Sequence, residues 1–280
     1  MNYFKAVFWS ILIGGFQGGF AQIQTLAELP KSVAESSGLA YDGNLLWTHN
    51  DSGNDEIIYG LNPNSGVVET KIYPEKVYNK DWEDMARGAD GSLYIGDLGN
   101  NRFSRKHLTI YSLKVENDQA ETQFETRIEF PSDYTTKKGK IKFDIEAFIY
   151  RDGHFYLFTK TFKNEFEKQT EVFQVLAQNG TQMAVYCGSI SLCNNAGNCK
   201  ITGAAFNEET GQLALISHKN LWLIDNFDPL QLEVVSSTRV KLNEESQKEG
   251  VAYKDAEHLY ISEERNKGQQ RLYLLDISEL

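Results

Sequence analysis

The chain has 280 residues, of which 41% are hydrophobic and 24% charged, so it can bury a full core and does not have the composition of a disordered protein. Its formal net charge of −11 argues against nucleic acid or anionic lipid as a partner, because both are bound through clustered Lys and Arg side chains. The composition therefore indicates a globular protein, and the charge does not identify its partner.

The first 21 residues have the pattern of a signal peptide. The segment MNYFKAVFWSILIGGFQGGFA has one Lys, an apolar run over residues 6–13 and a Gly-Phe-Ala end that suits cleavage after Ala21. Its glycines make it a weak membrane span, and no other apolar run is long enough for one. We therefore expect an exported, periplasmic or secreted protein without a membrane span. Its mature domain covers residues 22–280 and has a charge of −12, because Lys5 is lost.

The mature chain repeats one pattern five times. Each copy has a small or acidic start, a short apolar strand, a turn and a second strand, as in SSGLAYDGNLLWTHND, WEDMARGADGSLYIGD, DIEAFIYRDGHFYLFTK, ITGAAFNEETGQLALISHK and KEGVAYKDAEHLYISEE. Four of the five turns contain Gly, which tight hairpins favour. A third strand follows in every copy, and a fourth follows in all but the last, as in TQMAVYCGSI, residues 181–190, of the third copy. The repeat therefore predicts an all-β protein made of four-stranded units.

The repeat length is typical of one fold. Equivalent positions in the five copies are spaced by 46, 63, 56 and 47 residues, and four-stranded units of about 40 to 50 residues are typical of β-propeller blades. The last copy ends after three strands, and QIQTLAELP, residues 22–30, is a strand-like segment that can complete it. We predict a five-bladed β-propeller closed by the N-terminal strand. The alternative is six blades, with a degenerate blade in the 63-residue interval.

Short motifs at the strand ends add a family resemblance. The strand starts WEDMA, DIEAF and KEGVAY and the strand ends YIGD and YISEE resemble the SdiA-regulated family of β-propeller proteins and, more loosely, the esterase-like phytase group. The resemblance implies that the strand-start Glu residues face the central channel and that calcium is bound there. Ser37 and Thr202 replace Glu in two copies, so a complete ring of acids is not expected.

Acidic residues lie at both ends of several predicted hairpins. In a blade the first strand lines the channel and the second runs back beside it, so the start of one and the end of the other are neighbours. Carboxylates crowded into a channel repel one another, so either their pKa values rise or a cation compensates them, and oxygen ligands suit calcium better than zinc. We predict calcium bound by Glu83, Glu146, Glu249, Asp97 and Glu263. The alternative is that these acids cap strand ends and hold the blades together.

Polar and basic residues are predicted around the same mouth, where Lys160, His218, Asn50 and Arg102 would bind a small-molecule or extended ligand. The mature chain has no G-x-S-x-G, H-E-x-x-H or C-x-x-C motif, which weakens serine hydrolase, metalloprotease and redox functions. Three functions stay open. They are an exported calcium-dependent binding protein, a metal-dependent hydrolase of a phosphoester or lactone, and a metal-free scaffold for protein partners.

Three cysteines lie close together, at positions 187, 193 and 199. In an exported protein this arrangement predicts one disulfide and one thiol, with the pairing Cys193–Cys199 or Cys187–Cys199.

Overall fold

The computed structural model describes residues 22–162, 169–192, 200–232, 236–242, 246–265 and 268–280. Two short 3-10 helices span Lys31–Val33 and Ser132–Tyr134. The strands, in chain order, are β1 Gln22–Glu28, β2 Ser36–Tyr41, β3 Leu46–Asn50, β4 Ile58–Leu61, β5 Val68–Ile72, β6 Trp82–Arg87, β7 Leu93–Asp97, β8 Leu108–Glu116, β9 Gln119–Glu129, β10 Phe143–Arg151, β11 His154–Phe162, β12 Gln169–Leu176, β13 Gly180–Met183, β14 Val185–Ser191, β15 Gly203–Asn207, β16 Gln212–Ile216, β17 Asn220–Ile224, β18 Ser237–Lys241, β19 Lys248–Tyr253, β20 His258–Glu263 and β21 Arg271–Asp276.

These strands form the five blades of an all-β propeller. Blade 1 is β2–β5, blade 2 is β6–β9, blade 3 is β10–β12 with β14, blade 4 is β15–β18, and blade 5 is β19–β21 with β1. The prediction of five blades is confirmed, and the six-bladed alternative is wrong for the described residues. No helix within these ranges is long and apolar enough to cross a membrane.

The N-terminal strand completes blade 5, as predicted. Strand β1 pairs antiparallel with β21 from Gln22 opposite Asp276 to Glu28 opposite Arg271. The connection continues past the strand, because the Leu29 N–H donates to the Gln270 carbonyl at 2.8 Å and the Gln270 amide donates to the Leu29 carbonyl at 3.0 Å. The two ends of the chain are therefore joined within one sheet.

The longest repeat interval contains an extended outer hairpin rather than a further blade. Strands β8 and β9 are nine and eleven residues long and pair with each other, and the connection from 130 to 142 forms no sheet.

The segment 181–190, predicted as the fourth strand of blade 3, is divided between two blades. Strand β13 pairs parallel with β9 of blade 2, whereas β14 pairs antiparallel with β12. The division falls at buried Ala184, whose N–H donates to the Glu129 carbonyl at 2.8 Å.

Large apolar side chains fill the space between neighbouring blades. Between blades 2 and 3 the core is rich in phenylalanine, and the rings of Phe143 and Phe173 stack at a centroid distance of 5.1 Å. Trp82 and Trp222 are also fully buried, so they belong to the packing. This packing sets how far each inner strand lies from the channel axis.

The inner strands approach one another so closely that glycine is required. A Cβ atom on Gly203 would lie 2.1 Å from the Glu249 carbonyl oxygen, and one on Gly38 would lie 2.5 Å from the Met85 nitrogen. Gly38 also has a φ of +63°, which favours glycine. The inner strands therefore meet backbone to backbone near the axis.

Blade 2 has Asp84 where three other blades have Gly. Its buried carboxylate accepts N–H groups from Met85 in its own strand at 2.8 Å, from Phe148 in blade 3 at 3.1 Å and from Ala204 in blade 4 at 3.1 Å. Burial raises the pKa of Asp84, and these three donors oppose that rise. One carboxylate thus connects three blades across the channel.

Cys187 in β14 is a free thiol, so the predicted pairing Cys187–Cys199 is not formed. Cys193 and Cys199 lie outside the described residues, and their pairing with each other stays a prediction.

The first test concerns ring closure. Removing residues 22–29 from a chain that starts at residue 22 should lower the melting temperature by more than about 10 °C, because the β21 edge and buried contacts such as those of Leu29 would be exposed. Thermal melts monitored by circular dichroism measure this. Removal of 278–280, all of which are exposed positions, is the control truncation and should change little. Equal melting of the chains starting at residues 22 and 30 would show that β1 does not close the ring.

Candidate metal centre at the channel mouth

Three β-bulges place glutamates at one end of the channel. In β6, Trp82 and Asp84 pair with adjacent residues of β7, so Glu83 is an extra residue in the strand. Glu146 in β10 and Glu249 in β19 are extra residues at the equivalent place. A bulge interrupts the alternation of the strand and redirects the side chain. All three glutamates are buried. The charge of Glu146 adds to the raised pKa of Glu83, and the charge of Glu249 adds to the raised pKa of Glu146.

The tightest group of acids combines one of these glutamates with two aspartates from loops. Asp51 follows β3, Asp81 precedes β6, and each contributes a carboxylate oxygen that lies within 4.8 Å of the others and of an oxygen of Glu83. We call Asp51, Asp81 and Glu83 the acidic triad. The Asp81 N–H donates to the Asp97 carboxylate at 2.9 Å, which holds its loop against the end of β7.

A glycine allows two of these carboxylates to come together. Gly99 lies in the loop after β7, and its N–H donates to the Asp81 carbonyl at 3.1 Å. A Cβ atom at this position would lie 2.1 Å from Oε1 of Glu83 and 2.4 Å from Oδ2 of Asp81. The main chain of Gly99 therefore forms one wall of the triad, where any side chain would fill the space beside the carboxylates.

The carboxylate of Glu83 makes no hydrogen bond or ion pair in the part of the chain that the structure describes. Only 5% of this residue is exposed, and its main-chain carbonyl accepts the Ser37 hydroxyl. Burial, with the charges of Glu146 and Asp51, raises its pKa well above the usual range. Burial and the charges of Glu249 and Asp81 also raise the pKa of Asp51 to about 7. Two cations of the protein act on the triad, because the charge of Glu83 contributes to the raised pKa of Lys160 and the charge of Arg105 opposes the rise in the pKa of Asp81. The pKa values of all three acids are raised overall, so the protein compensates the negative charge of the triad only in part.

The chemistry of the triad fits a hard divalent cation. All its donors are carboxylate oxygens, which calcium and magnesium prefer, whereas zinc favours His and Cys ligands. The triad includes no His or Cys. A cation here would compensate the repulsion between the three acids and the burial of Glu83.

The other two strand-start glutamates face cationic or potentially cationic side chains. The Lys160 ammonium donates to the Glu146 carboxylate, and His218 Nε2 lies 3.4 Å from Glu249 Oε1. Burial alone would lower the pKa of Lys160, but the charges of Glu146 and Glu249 raise it overall. The predicted ligand-binding residues Lys160 and His218 are therefore at the mouth, each beside a predicted metal ligand.

The two strand-end acids of the predicted calcium set are also engaged by the protein. Asp97 binds the Arg105 guanidinium through two hydrogen bonds of 2.7 and 3.1 Å. Glu263 accepts the Tyr273 hydroxyl at 2.7 Å and lies 3.9 Å from the Lys248 ammonium. Among the described residues, the five predicted metal ligands do not form one group of neighbouring carboxylates. Asp97 and Glu263 are instead bound by neighbouring side chains of the protein.

The last two predicted ligand-binding residues differ in exposure. Asn50 is buried, with its amide donating to the Ser32 carbonyl at 2.9 Å and accepting the Glu35 N–H at 3.2 Å, so it holds the loops of blade 1 together. Arg102 is exposed on the loop after β7 and lines a groove next to Asp81.

Asp51 and Asp81 were not among the predicted metal ligands. Both lie one residue outside a strand, so a search restricted to strand ends omits them. Their only sequence signal is the placement of an Asp directly after β3 and directly before β6.

Comparisons with known proteins support the fold. No protein-family model and no curated protein matches this sequence. A solved structure of the PQQ-bound aldose sugar dehydrogenase from Streptomyces coelicolor has a TM-score of 0.53 and 11% identity, over 91% of this chain and 98% of that chain. A gluconolactonase from Xanthomonas campestris has a TM-score of 0.50 and 10% identity, over 92% of this chain and 90% of that chain. These similarities show the propeller fold alone, and the SdiA-regulated family itself is not shown by them.

The raised pKa values predict a pH dependence. Asp51, Asp81, Glu83 and Glu146 retain protons to higher pH in the folded chain than in the unfolded chain, where they titrate near pH 4. The folded state therefore binds more protons between about pH 4 and pH 7, and without metal its stability falls as the pH rises through this window. Urea titrations of metal-free protein should give a lower free energy of unfolding at about pH 7 than at about pH 5.

The variant Asp51→Asn should reduce the fall in the free energy of unfolding between about pH 5 and about pH 7, since it removes one of the titrating groups. Asp133→Asn, at an exposed position in the second 3-10 helix, is the matched control and should leave it unchanged. A stability that rises from about pH 5 to about pH 7 would contradict the assignment.

Proposed function

We propose that this protein binds a divalent cation, calcium for preference, through Asp51, Asp81 and Glu83, and that the ion holds an oxygen-rich ligand at the channel mouth. The supporting observation is a 5%-exposed Glu83 without a protein partner, with oxygens of two further carboxylates within 4.8 Å. Ionised acids in this arrangement cost several kcal/mol unless a cation or protons compensate them. Calcium accepts about six to eight oxygens, so three carboxylates leave positions for water and ligand.

Export of the chain is part of this proposal. It is supported by the apolar segment that ends at Ala21, and strand β1 begins at the next residue, Gln22. Calcium-binding modules outside cells use sites with dissociation constants of about 10⁻⁴ to 10⁻³ M, which a three-carboxylate site would suit. Sequencing of the mature N-terminus tests export, and a chain that retains residues 1–21 would contradict it.

The metal proposal predicts calcium-dependent stability. At about 100 times its dissociation constant, calcium should stabilise the native state by about 2.7 kcal/mol and raise the melting temperature by about 5 to 10 °C. Glu83→Gln removes a ligand that has no other partner, so it should abolish most of this shift. After dialysis against calcium at about 100 times the dissociation constant, elemental analysis should find about one calcium per chain in the wild-type protein in excess of the dialysis buffer.

Glu146→Gln is the matched control, because Glu146 is another buried strand-start glutamate but is bound to Lys160. It should keep most of the calcium response. A wild-type protein that contains no metal and melts identically with calcium and with chelator would refute the metal site and favour a scaffold without metal.

Hydrolysis of a lactone or phosphoester is a second candidate, favoured by the pair His218 and Glu249. His218 lies 3.4 Å from the Glu249 carboxylate and its side chain is 40% exposed, so an imidazole that can accept a proton is accessible at the same mouth. A bound cation would polarise the scissile group. The gluconolactonase with a similar fold makes sugar lactones suitable first substrates.

Turnover of gluconolactone and of p-nitrophenyl phosphate, measured with calcium and with chelator, tests this candidate. Loss of a general base should lower kcat by about 10² or more, so His218→Asn should do so while calcium-dependent melting is retained. His154→Asn is the control and should have wild-type rates, because His154 lies at the β10–β11 turn of blade 3, at the opposite end of these strands from Glu146. If the wild-type protein turns over neither substrate, the hydrolase function is refuted and the binding function is retained.

A further inference from the structure

A groove with the opposite charge adjoins the acidic triad. It has a volume of about 510 Å³ and lies beside the loops after β3 and β7. Its lining includes Lys80, Arg102, Arg105, Lys106 and His107, and Asp81 of the triad is the one acidic residue among the described residues that line it. In a chain with a net charge of −11, this concentration of basic residues is a local exception.

Three of these cations are not neutralised by the protein. Arg105 is paired with Asp97, but the side chains of Lys80, Arg102 and Lys106 are exposed and make no hydrogen bond or ion pair in the part of the chain that the structure describes. Burial, with the charges of Arg127, Lys80 and Arg105, also lowers the pKa of His107. The groove therefore has a positive potential directly beside the negative triad.

The lining also contains an unsatisfied polar atom. Nδ1 of His107 is buried and has no hydrogen-bond partner among the described residues. Ser52, Asn101 and Ser104 add neutral hydrogen-bonding groups to the same walls.

We propose that this groove binds the anionic group of a small molecule, a phosphate or a carboxylate, whose other oxygens reach the ion at Asp81. The identity of the ligand rests on the proposed metal function, but the anion subsite depends on the groove alone. Its volume is within the range of about 300 to 1,000 Å³ that small-molecule sites have. Arg102 can bind either anion through two parallel hydrogen bonds, while Lys80 and Lys106 act as point charges.

The test uses inorganic phosphate and succinate as probes. Each is titrated at constant ionic strength, since salt screens exposed charges, into mature protein that has been stripped of metal and dialysed into metal-free buffer. Isothermal titration calorimetry should show binding of at least one probe, and the tighter probe identifies the preferred group. The triple variant Lys80→Gln, Arg102→Gln, Lys106→Gln should weaken that binding at least tenfold. All three positions are exposed, so the melting temperature should stay close to that of the wild type.

The matched control is Lys76→Gln, Lys137→Gln, Lys254→Gln, which removes the same charge from exposed lysines that do not line this groove. It should bind the probes like the wild type. Equal affinity in the groove variant and the wild type, an equal loss in the control variant, or no binding of either probe would overturn the subsite. The single variant Arg102→Gln provides the same comparison if the triple variant melts much lower.

The outcomes separate this subsite from the metal proposal. Probe binding that depends on the groove cations, in a protein whose melting ignores calcium, would support the anion subsite and refute the metal site. A calcium response that Glu83→Gln abolishes, without binding of either probe, would support the metal site and refute the anion subsite.

Discussion

The five inner strands meet around the axis at distances that leave room for little except main chain, and the rest of the structure depends on this constraint. Gly38 and Gly203 have no space for a Cβ atom, and Asp84 uses its carboxylate to bind N–H groups of blades 3 and 4. Because the strands are this close, their first residues are also close. Acids that are distant in the sequence therefore share one narrow mouth.

The mouth differs from the remaining acidic surface in how its charges are balanced. Asp97, Glu146 and Glu263 each lie beside a basic side chain, so they form ion pairs that connect neighbouring strands or loops. Glu83 is equally buried and forms no ion pair among the described residues, although the charge of Lys160 acts on it. An ionised buried carboxylate that is compensated only in part is unfavourable, and this is the reason for proposing a cation at Glu83 rather than at the centre of all the acids. The basic groove next to Asp81 places a positive and a negative surface side by side.

Much of the fold could be predicted because a propeller repeats its signal in every blade. Turn glycines, apolar strand pairs and the spacing of the copies predicted five blades, and the missing fourth strand of the last copy predicted the role of β1. The prediction for residues 181–190 was less accurate, since these residues form strands in two blades. A pattern of alternating residues indicates a strand but not its partner, because both edges of an outer strand can accept a neighbour.

The sequence by itself determined the fold and the ring closure, since these follow from local periodicity repeated along the chain. The family resemblance at the strand starts implied that Glu83, Glu146 and Glu249 face the channel. The tertiary structure alone decided which acids form the acidic triad. Three bulges redirect the glutamates, and the loops that carry Asp51 and Asp81 approach Glu83 because Gly99 leaves them space. It also decided which acids are paired, as the neighbours of Asp97 and Glu263 come from other strands and loops. Charge balance depends on distances between segments, and those distances are set only when the blades pack against one another.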